Sequence, residues 1–334
     1  MEVLKRISES ALLLASRLYA GVVAVDRSTR RTQKLPFPTI SVGNIALGGR
    51  AKTPMCIEIC KRLKERGFSP VVLTRGYGRI DKRALWLRAP NFSPGKIEIL
   101  DLSKNEVLST SMDQASLAGD EALEIFESGG VNVLVGADRA GAAKTYLRIQ
   151  AIERPAAVSR TVFVLDDGFQ HWSLQRDLDI VLIRSEDLSG RVIPSGRLRE
   201  HPQSLDRAHL VFQLGVDVFK RCHFPASLFS DERKDEELLI LTTRAPDPDF
   251  SVELDRTLGA RPFKLLALSD HADATKMRAA LKGFRGTVLL GGKEYVKLSS
   301  DKDLRMERLT LNLEFSDQGA RLDRALNKVL GPRS

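Results

Sequence analysis

The sequence predicts a doubly wound α/β fold: a mostly parallel, P-loop-type sheet, a second and smaller α/β domain, and an N-terminal amphipathic helix. Three observations carry that prediction. Short apolar runs rich in β-branched residues recur at 39–42, 71–74, 131–135, 161–165, 180–183 and 210–212. Uninterrupted runs of this kind suit strands buried on both faces of a parallel sheet. Between the first two, a helical pattern opens at Pro54 and closes at Gly67, with Pro at the first helical position and Gly just past the end. Strand, helix and strand make a βαβ unit, and the doubly wound class follows. Beyond residues 214–236, which hold Pro225 and a charged cluster and read as a hinge, a second strand–helix series runs over 238–330. With one domain per ~150 residues as a guide, the chain divides into an N-terminal helix at 1–35, a P-loop-type core at 36–220 and a smaller α/β domain at 221–334.

Composition narrows the function classes. Hydrophobic residues at 43% and charged ones at 28% exclude a wholly disordered chain. No apolar run reaches the ~18 residues of a bilayer crossing, which excludes a multi-span membrane protein. Three cysteines are too few for a disulfide framework. Cys56 and Cys60 stand four apart in a helical pattern with no neighbouring His or Cys to complete a zinc site, so a reducing compartment is expected. Lys and Arg outnumber Asp and Glu by 52 to 43, a formal +9 that favours anionic partners. The absence of an RNA-recognition signature, a zinc finger or a basic–aromatic repeat weighs against nucleic acid and leaves a membrane face or a phosphorylated substrate.

The first 35 residues stand apart. Leu12, Leu13, Leu14, Leu18, Tyr19, Val22 and Val23 form an apolar helical stretch, trailed by Arg27, Arg30, Arg31 and Lys34. A secretory signal is a poor fit, because Arg17 interrupts the stretch and no small-residue cleavage site follows. Placing Arg17 at a bilayer centre would cost ~3 kcal/mol, which argues against spanning. A helix lying in the interface fits better, its basic residues contributing about 1 kcal/mol each beside lipid phosphates. An ordinary packed helix with a solvated basic tail is the alternative.

Residues 43–53, Gly-Asn-Ile-Ala-Leu-Gly-Gly-Arg-Ala-Lys-Thr, follow the first strand and open the first helix. A phosphate cradle belongs there: backbone N–H groups and the helix N-terminus face the anion, a Lys neutralises the β- and γ-phosphates, and a Thr hydroxyl binds Mg²⁺. The standard pattern has Gly where Ala46 and Ala51 stand, so an ordinary Gly-rich turn stays open on the pattern alone. A Cβ at position 51 would crowd the phosphates or require a strained backbone. Residues 162–171, Val-Phe-Val-Leu-Asp-Asp-Gly-Phe-Gln-His, put carboxylates at the tip of an apolar strand, as a Walker B motif does to hold Mg²⁺. Asp-Asp-Gly is also an ordinary turn, yet the two motifs together fit a sheet whose ligands gather at strand C-termini. Three further segments carry charge: Thr74-Arg75-Gly76-Tyr77-Gly78, Gly119-Asp120-Glu121 and Ser269-Asp270-His271. Taken singly, Arg75 reads as a solvated loop residue, Asp120 as a helix N-cap and His271 as a surface histidine.

In order, these segments resemble the tetraacyldisaccharide 4'-kinase family of the lipid A pathway. That family shows an N-terminal amphipathic helix, an SVGN…GGTGKTP loop, SRGYG, GDEP, VGxDR, LDDGFQH, P.GPLRE, and late DHH and TEKDxVKL segments. This chain has Ser41-Val42-Gly43-Asn44, then Gly48 through Pro54, Thr74 through Gly78, and Gly119-Asp120-Glu121-Ala122. It continues with Val135-Gly136-Ala137-Asp138-Arg139, Leu165 through His171, Pro194 through Glu200, Asp270-His271-Ala272, and Gly291 through Leu298. It departs at Arg50-Ala51, where the family has Thr-Gly, and at Ala122 for Pro. Gly291-Gly292 replace Thr-Glu, and Glu294 replaces Asp.

The resemblance implies a Mg²⁺- and ATP-dependent kinase that phosphorylates the 4'-hydroxyl of a tetraacylated glucosamine disaccharide 1-phosphate to give lipid IVA. It would act as a monomer at the cytoplasmic face of the inner membrane of a Gram-negative bacterium. Ala46, Leu47, Gly48, Gly49, Arg50, Ala51, Lys52 and Thr53 would bind ATP, with Lys52 on the β- and γ-phosphates. Thr53, Asp166, Asp167 and Glu200 would serve Mg²⁺ directly or through water. Asp120 would be the general base, completed by His271 from the smaller domain. Arg75 and Arg139 would stabilise the transferring phosphoryl group or the substrate's own phosphate, and Asn44, Asp138, Gln170 and His171 would face substrate or phosphate. Two other classes stay open. One is another P-loop ATP-dependent enzyme such as a ligase, and the other a non-catalytic descendant that binds nucleotide or lipid without transfer.

Overall fold

Residues 2–88, 97–108, 114–243, 248–269, 272–298, 301 and 303–331 are described by the computed structural model. Its first half holds α1 (Glu2–Thr29), β1 (Thr39–Gly43), α2 (Lys52–Glu65), β2 (Ser69–Thr74), β3 (Leu85–Arg88), β4 (Glu98–Asp101), β5 (Glu106–Val107), α3 (Gln114–Ala118), α4 (Asp120–Gly129), β6 (Asn132–Val135), α5 (Arg139–Glu153), α6 (Pro155–Val158) and β7 (Thr161–Asp166). Then follow β8 (Leu178–Ile183), β9 (Leu210–Gln213), β10 (Val218–His223), β11 (Leu238–Thr242), α7 (Pro248–Leu258), β12 (Phe263–Ala267), α8 (Ala274–Leu281), β13 (Thr287–Leu290), α9 (Gly292–Leu298), β14 (Met306–Arg308), β15 (Thr310–Phe315) and α10 (Ala320–Leu330).

Two compact units emerge, neither continuous in sequence: Met1–Thr74 with Asp138–Phe219 and Phe315–Ser334, and Arg75–Ala137 with Lys220–Glu314. The consecutive segments expected from the sequence, 1–35, 36–220 and 221–334, are not these units. Packing between residues far apart in the chain is the reason. Helix α4 lies against α9, so residues of the first half share a core with the last third.

In the first unit, five strands run parallel in the order β2–β7–β1–β8–β9. Strands β1 and β7 are buried at every position, as strands covered on both faces must be. Helix α2 packs across β1, β2 and β7. Its Met55, Cys56, Ile59, Cys60 and Leu63 recur at helical spacing and are fully buried, each large aliphatic side chain contributing ~1.5–3 kcal/mol. The helix starts at Lys52, two residues before Pro54, and ends as expected: Gly67, at φ +75°, takes the left-handed turn and donates its N–H to the Lys64 carbonyl at 2.8 Å. Val42 lies opposite Asp166 in the β1–β7 register. The chain therefore leaves β1 and β7 at the same C-terminal sheet edge, where α/β sheets gather ligands. Helix α1 is anchored by Ser16, whose hydroxyl donates to the Val192 carbonyl (2.9 Å) and lies 2.8 Å from Ser195 Oγ. On the opposite face, Leu14, Leu18, Val22 and Val25 are 59%, 66%, 67% and 61% exposed. No described helix is long and apolar enough to cross a membrane.

In the second unit, β5–β4–β3–β6 form an antiparallel set. The strand expected at 131–135 forms as β6, buried at three of its four positions, and on one side it pairs antiparallel with β3. Strands β3 and β4 escape prediction because four-residue strands ending in Arg88 and starting at Glu98 hold no long apolar run. A separate parallel sheet has the order β12–β11–β13–β14. Alternate residues of β11 feed opposite faces: Leu238 and Ile240 pack with Leu254 and Leu289, Leu239 and Leu241 with Met277 and Leu290. Residues 214–236, expected as a hinge, hold β10 and two short 3-10 turns.

Candidate active site

In the first unit, the loop from β1 to α2 is fastened along its length. Position 43 is glycine because the turn after β7 crosses it: a Cβ there would lie 2.5 Å from Phe169 Cβ. Asn44 is fully buried and shapes the loop, its Nδ2 donating to the Ala46 carbonyl at 2.8 Å while its own carbonyl accepts from Gln170 Nε2 at 2.9 Å. Leu47 N–H donates to the Arg197 carbonyl (2.8 Å) and Arg199 N–H to the Ile45 carbonyl (2.6 Å). The Pro194–Glu200 motif is thereby joined to the loop. Arg50, expected among the nucleotide-binding residues, has its guanidinium engaged by Asp187: Nε to Oδ2 at 2.8 Å and Nη2 to Oδ1 at 2.7 Å. Ala51 sits at φ 53°, ψ 30°, the left-handed region, at the N-cap of α2. That conformation costs an L-residue about 1–2 kcal/mol, so the loop carries the strained backbone.

The tip of β7 faces this loop. Asp166 is buried and accepts from Thr74 Oγ1 at 3.0 Å and from the Cys56 thiol at 3.7 Å. Burial, and then the Asp166 carboxylate, push the Cys56 thiol well above its usual range, which keeps it an inert packing group. Asp167, at φ 48°, accepts from Arg199 Nη1 at 2.8 and 2.9 Å and lies 3.6 Å from Lys52 Nζ. Burial works to raise its pKa, but the charges of Lys52, Arg199 and Arg139 outweigh burial and hold the carboxyl below the usual range. Glu200 accepts from Arg207 Nη2 (2.9 Å) and Gln170 Nε2 (2.9 Å), and Arg207 lies over the rings of Phe169 and Trp172. His171 is lowered to about 4, first by burial and then by Arg139, Arg176 and Arg30; its Nε2 lies 3.2 Å from Ser173 Oγ. Asp138, expected to face substrate, is the N-cap of α5 and accepts from Gly141 N–H at 2.9 Å. Arg139 follows it, buried, at the start of the helix.

Among the described residues, no three His, Cys, Asp or Glu side chains group as a self-sufficient metal site. Thr53 and Asp166 nevertheless offer the hard oxygens that Mg²⁺ takes in ones or twos, while phosphates and waters supply the rest. Both residues are buried, and Thr53 lies on α2 beside Lys52 and one turn from Cys56, whose side chains reach Asp167 and Asp166.

In the second unit, three of the motif segments come together. Gly119 stands at φ +88°, and a Cβ there would be 3.3 Å from the Tyr77 carbonyl, so the 74–78 and 119–121 segments touch through backbone. Gly119 is the N-cap of α4, which makes Asp120 the first helical residue and not the cap that the sequence allowed. The Asp120 carboxylate is 3.1 Å from Lys297 Nζ, which also donates to the Ala272 carbonyl at 3.2 Å. Lys293 pairs with Glu121, and Glu294 accepts from Thr243 N–H (2.9 Å) and Oγ1 (2.7 Å). Gly292 permits this approach, since a Cβ there would lie 2.7 Å from Glu124 Cγ. Arg75 is exposed. His271 and Asp270 lie outside the described residues. Lys297 and Asp187 were missed as functional candidates. Lys297 had a signal, because it stands in the late TEKDxVKL-like segment; Asp187 had none.

Comparison with known proteins follows the same lines. The sequence profile of the LpxK family, tetraacyldisaccharide-1-P 4'-kinase, matches residues 8–98 and 101–331. A tetraacyldisaccharide 4'-kinase of Neisseria meningitidis serogroup C is 28% identical over 312 residues, covering 85% of this chain and 81% of that protein. One from Syntrophus aciditrophicus is 38% identical over 195 residues, 57% of this chain and 45% of that protein. The crystal structure of LpxK from Aquifex aeolicus, in complex with ATP, superposes with a TM-score of 0.70 at 24% identity, over 96% of this chain and 99% of that one.

Proposed function

This chain belongs to the tetraacyldisaccharide-1-P 4'-kinase family, and from that premise we infer that it transfers the γ-phosphoryl group of ATP to the 4'-hydroxyl of an acylated glucosamine disaccharide 1-phosphate in lipid A synthesis. The observation that carries the reading is the pairing of Lys52, at the start of α2, with Asp167 at the tip of β7, 3.6 Å apart beside the buried Asp166. Phosphoryl transfer asks a protein mainly for positioning and charge neutralisation. Lys52 exchanges Asp167 for the β- and γ-phosphates when nucleotide arrives. Arg139 and Arg75 offset charge on the transferring group or on the substrate's phosphate. Thr53 and Asp166 would hold Mg²⁺, which when bound offsets charge on the β- and γ-oxygens. Asp167 and Glu200, whose oxygens are engaged by Arg199 and Arg207, would serve it through water. Asp120 takes the proton of the attacking 4'-hydroxyl, a role that typically contributes 10²–10⁴-fold, and Lys297 holds its carboxylate in place. His271 assists Asp120. The exposed apolar face of α1 and the formal +9 suit a protein resting on the cytoplasmic face of a Gram-negative inner membrane.

The test incubates the full-length chain with labelled ATP and tetraacyldisaccharide 1-phosphate in detergent, followed by thin-layer separation. Label should move to the lipid, and Lys52→Ala should abolish the transfer. ATP binding with no transfer by the parent chain would instead identify a non-catalytic descendant.

A further inference from the structure

We propose that the Arg50–Asp187 ion pair is a positioning device for the phosphate loop, holding Ala51 in the left-handed conformation that aims the loop's N–H groups at ATP. The proposal rests on reading residues 46–53 as the nucleotide loop. At the start of α2 the backbone must turn through φ 53° at position 51. Glycine makes that turn freely, whereas alanine resists it. The constraint that holds it must therefore come from neighbouring residues. Arg50 supplies it through a two-pronged contact: Nε and Nη2 grip the two oxygens of Asp187 at 2.8 and 2.7 Å. Such a fork fixes both the direction and the rotation of the guanidinium.

Asp187 is itself immobilised. Its Oδ2 accepts the Arg184 N–H at 2.9 Å, within the short 3-10 turn Ser185–Leu188 that directly follows β8. Strand β8 pairs with β1, the strand from which the loop departs. Both side chains are nearly dry, 7% and 2% exposed, so water does not loosen the grip. Glu186 adds a weaker contact at 3.4 Å. On the other side, residues 45–47 are bonded to 197–199. The strained residue thus sits between an anchored Arg50 and the rigid first turn of α2. Arg50 and Ala51 are adjacent departures from the family pattern, where Thr-Gly stands, and the anchor compensates for the missing glycine. Arg50 acts through the backbone, because Asp187 already neutralises its charge.

Titrating the full-length chain with ATP and MgCl₂, alongside thermal melts, tests this with Asp187→Asn, Arg50→Lys, Ala51→Gly and the pair Ala51→Gly/Asp187→Asn. Asp187→Asn and Arg50→Lys should each weaken ATP binding on the order of tenfold, as expected if the competent loop falls to about a tenth of the population. Adding Ala51→Gly to Asp187→Asn should bring affinity back to within about threefold of the parent while the loss in Tm remains. A fall in Tm with unchanged ATP affinity overturns the proposal, as does an affinity loss that Ala51→Gly fails to relieve. Should Asp187→Asn not fold, Arg50→Lys, which keeps the charge and loses the fork, decides on the same terms with Ala51→Gly added to it. Lys52→Ala separates the two levels. If it binds ATP like the parent, the nucleotide-loop reading fails and the anchor with it; if it loses ATP while Asp187→Asn does not, the anchor alone fails.

Discussion

Ala51 and His171 are single residues whose backbone or charge is set against their intrinsic preference. Relieving the left-handed strain at Ala51 should gain about 1–2 kcal/mol, while the extra freedom of glycine in the unfolded chain returns about 0.4–1. Ala51→Gly should therefore leave stability unchanged or slightly raised, by roughly 0.5 kcal/mol. Ala143, fully buried in α5 at an ordinary helical position, is the contrast: Ala143→Gly should lose about 1 kcal/mol or more. Urea midpoints of the two variants decide the matter, and equal losses would show that position 51 carries no strain. His171 is lowered from 6.5 to about 4 by burial and by Arg139, Arg176 and Arg30. A folded-state imidazole with a depressed pKa means that the unfolded chain takes up the proton first. Stability is therefore intact above pH 6.5 and falls as pH drops from there through about 4. His171→Gln should flatten that part of the curve of Tm against pH; an unchanged slope would place the acid sensitivity elsewhere. Asp167, held below the usual carboxylate range, adds its own loss of stability only at more acid pH.

Helix α1 has one anchored face and one exposed apolar face. Ser16 ties one to Val192 and Ser195, and Tyr19 packs against the cluster around Ile45 and Phe169. Deleting residues 1–30 would disturb that packing together with any membrane contact. The cleaner change is on the opposite face: Leu14→Glu with Leu18→Glu leaves the anchored side alone. Apolar burial and basic attraction each give weak, reversible binding, and together they give useful anchoring. The double variant should lose co-sedimentation with anionic vesicles and need more lipid substrate for half-maximal rate, while its Tm stays within about 2 °C of the parent, as surface changes usually do. Undiminished co-sedimentation would leave α1 as an ordinary packed helix.

The whole molecule is assembled from segments that alternate between two units, so a cut that looks natural in the sequence divides both. A fragment ending at residue 220 would remove α9, against which α4 packs, and α10, whose Leu322 and Leu326 are fully buried. It would also remove the Arg321–Asp217 and Arg66–Asp323 pairs within the first unit. Such a fragment should fail to give a sharp, cooperative urea transition and should expose apolar surface to a dye such as ANS. A cooperative transition with dispersed amide resonances would mean that residues 1–220 fold alone.

Local signals carried much of this protein. Strands at 39–42 and 161–165, the turn into α2 and the carboxylate-tipped β7 were legible because composition and period act over a few neighbouring residues. The ordered motifs identified the family for the same reason, each being a short segment read in place. Strands β3 and β4 were hidden, because four residues hold too little pattern to separate a strand from a loop. The partner of each charge was hidden too, and only the tertiary structure decided it. Arg50 bonds a carboxylate 137 residues away, Arg199 one 32 residues away, and Lys297 reaches back to Asp120 in the first half of the chain. An ion pair depends on which strands and helices the topology makes neighbours, and no window of sequence contains that information. The sequence by itself determined the family and named the candidate residues within its motifs. Tertiary packing decided that Arg50 pairs with Asp187, that Asp138 caps α5 and that Lys297 pairs with Asp120.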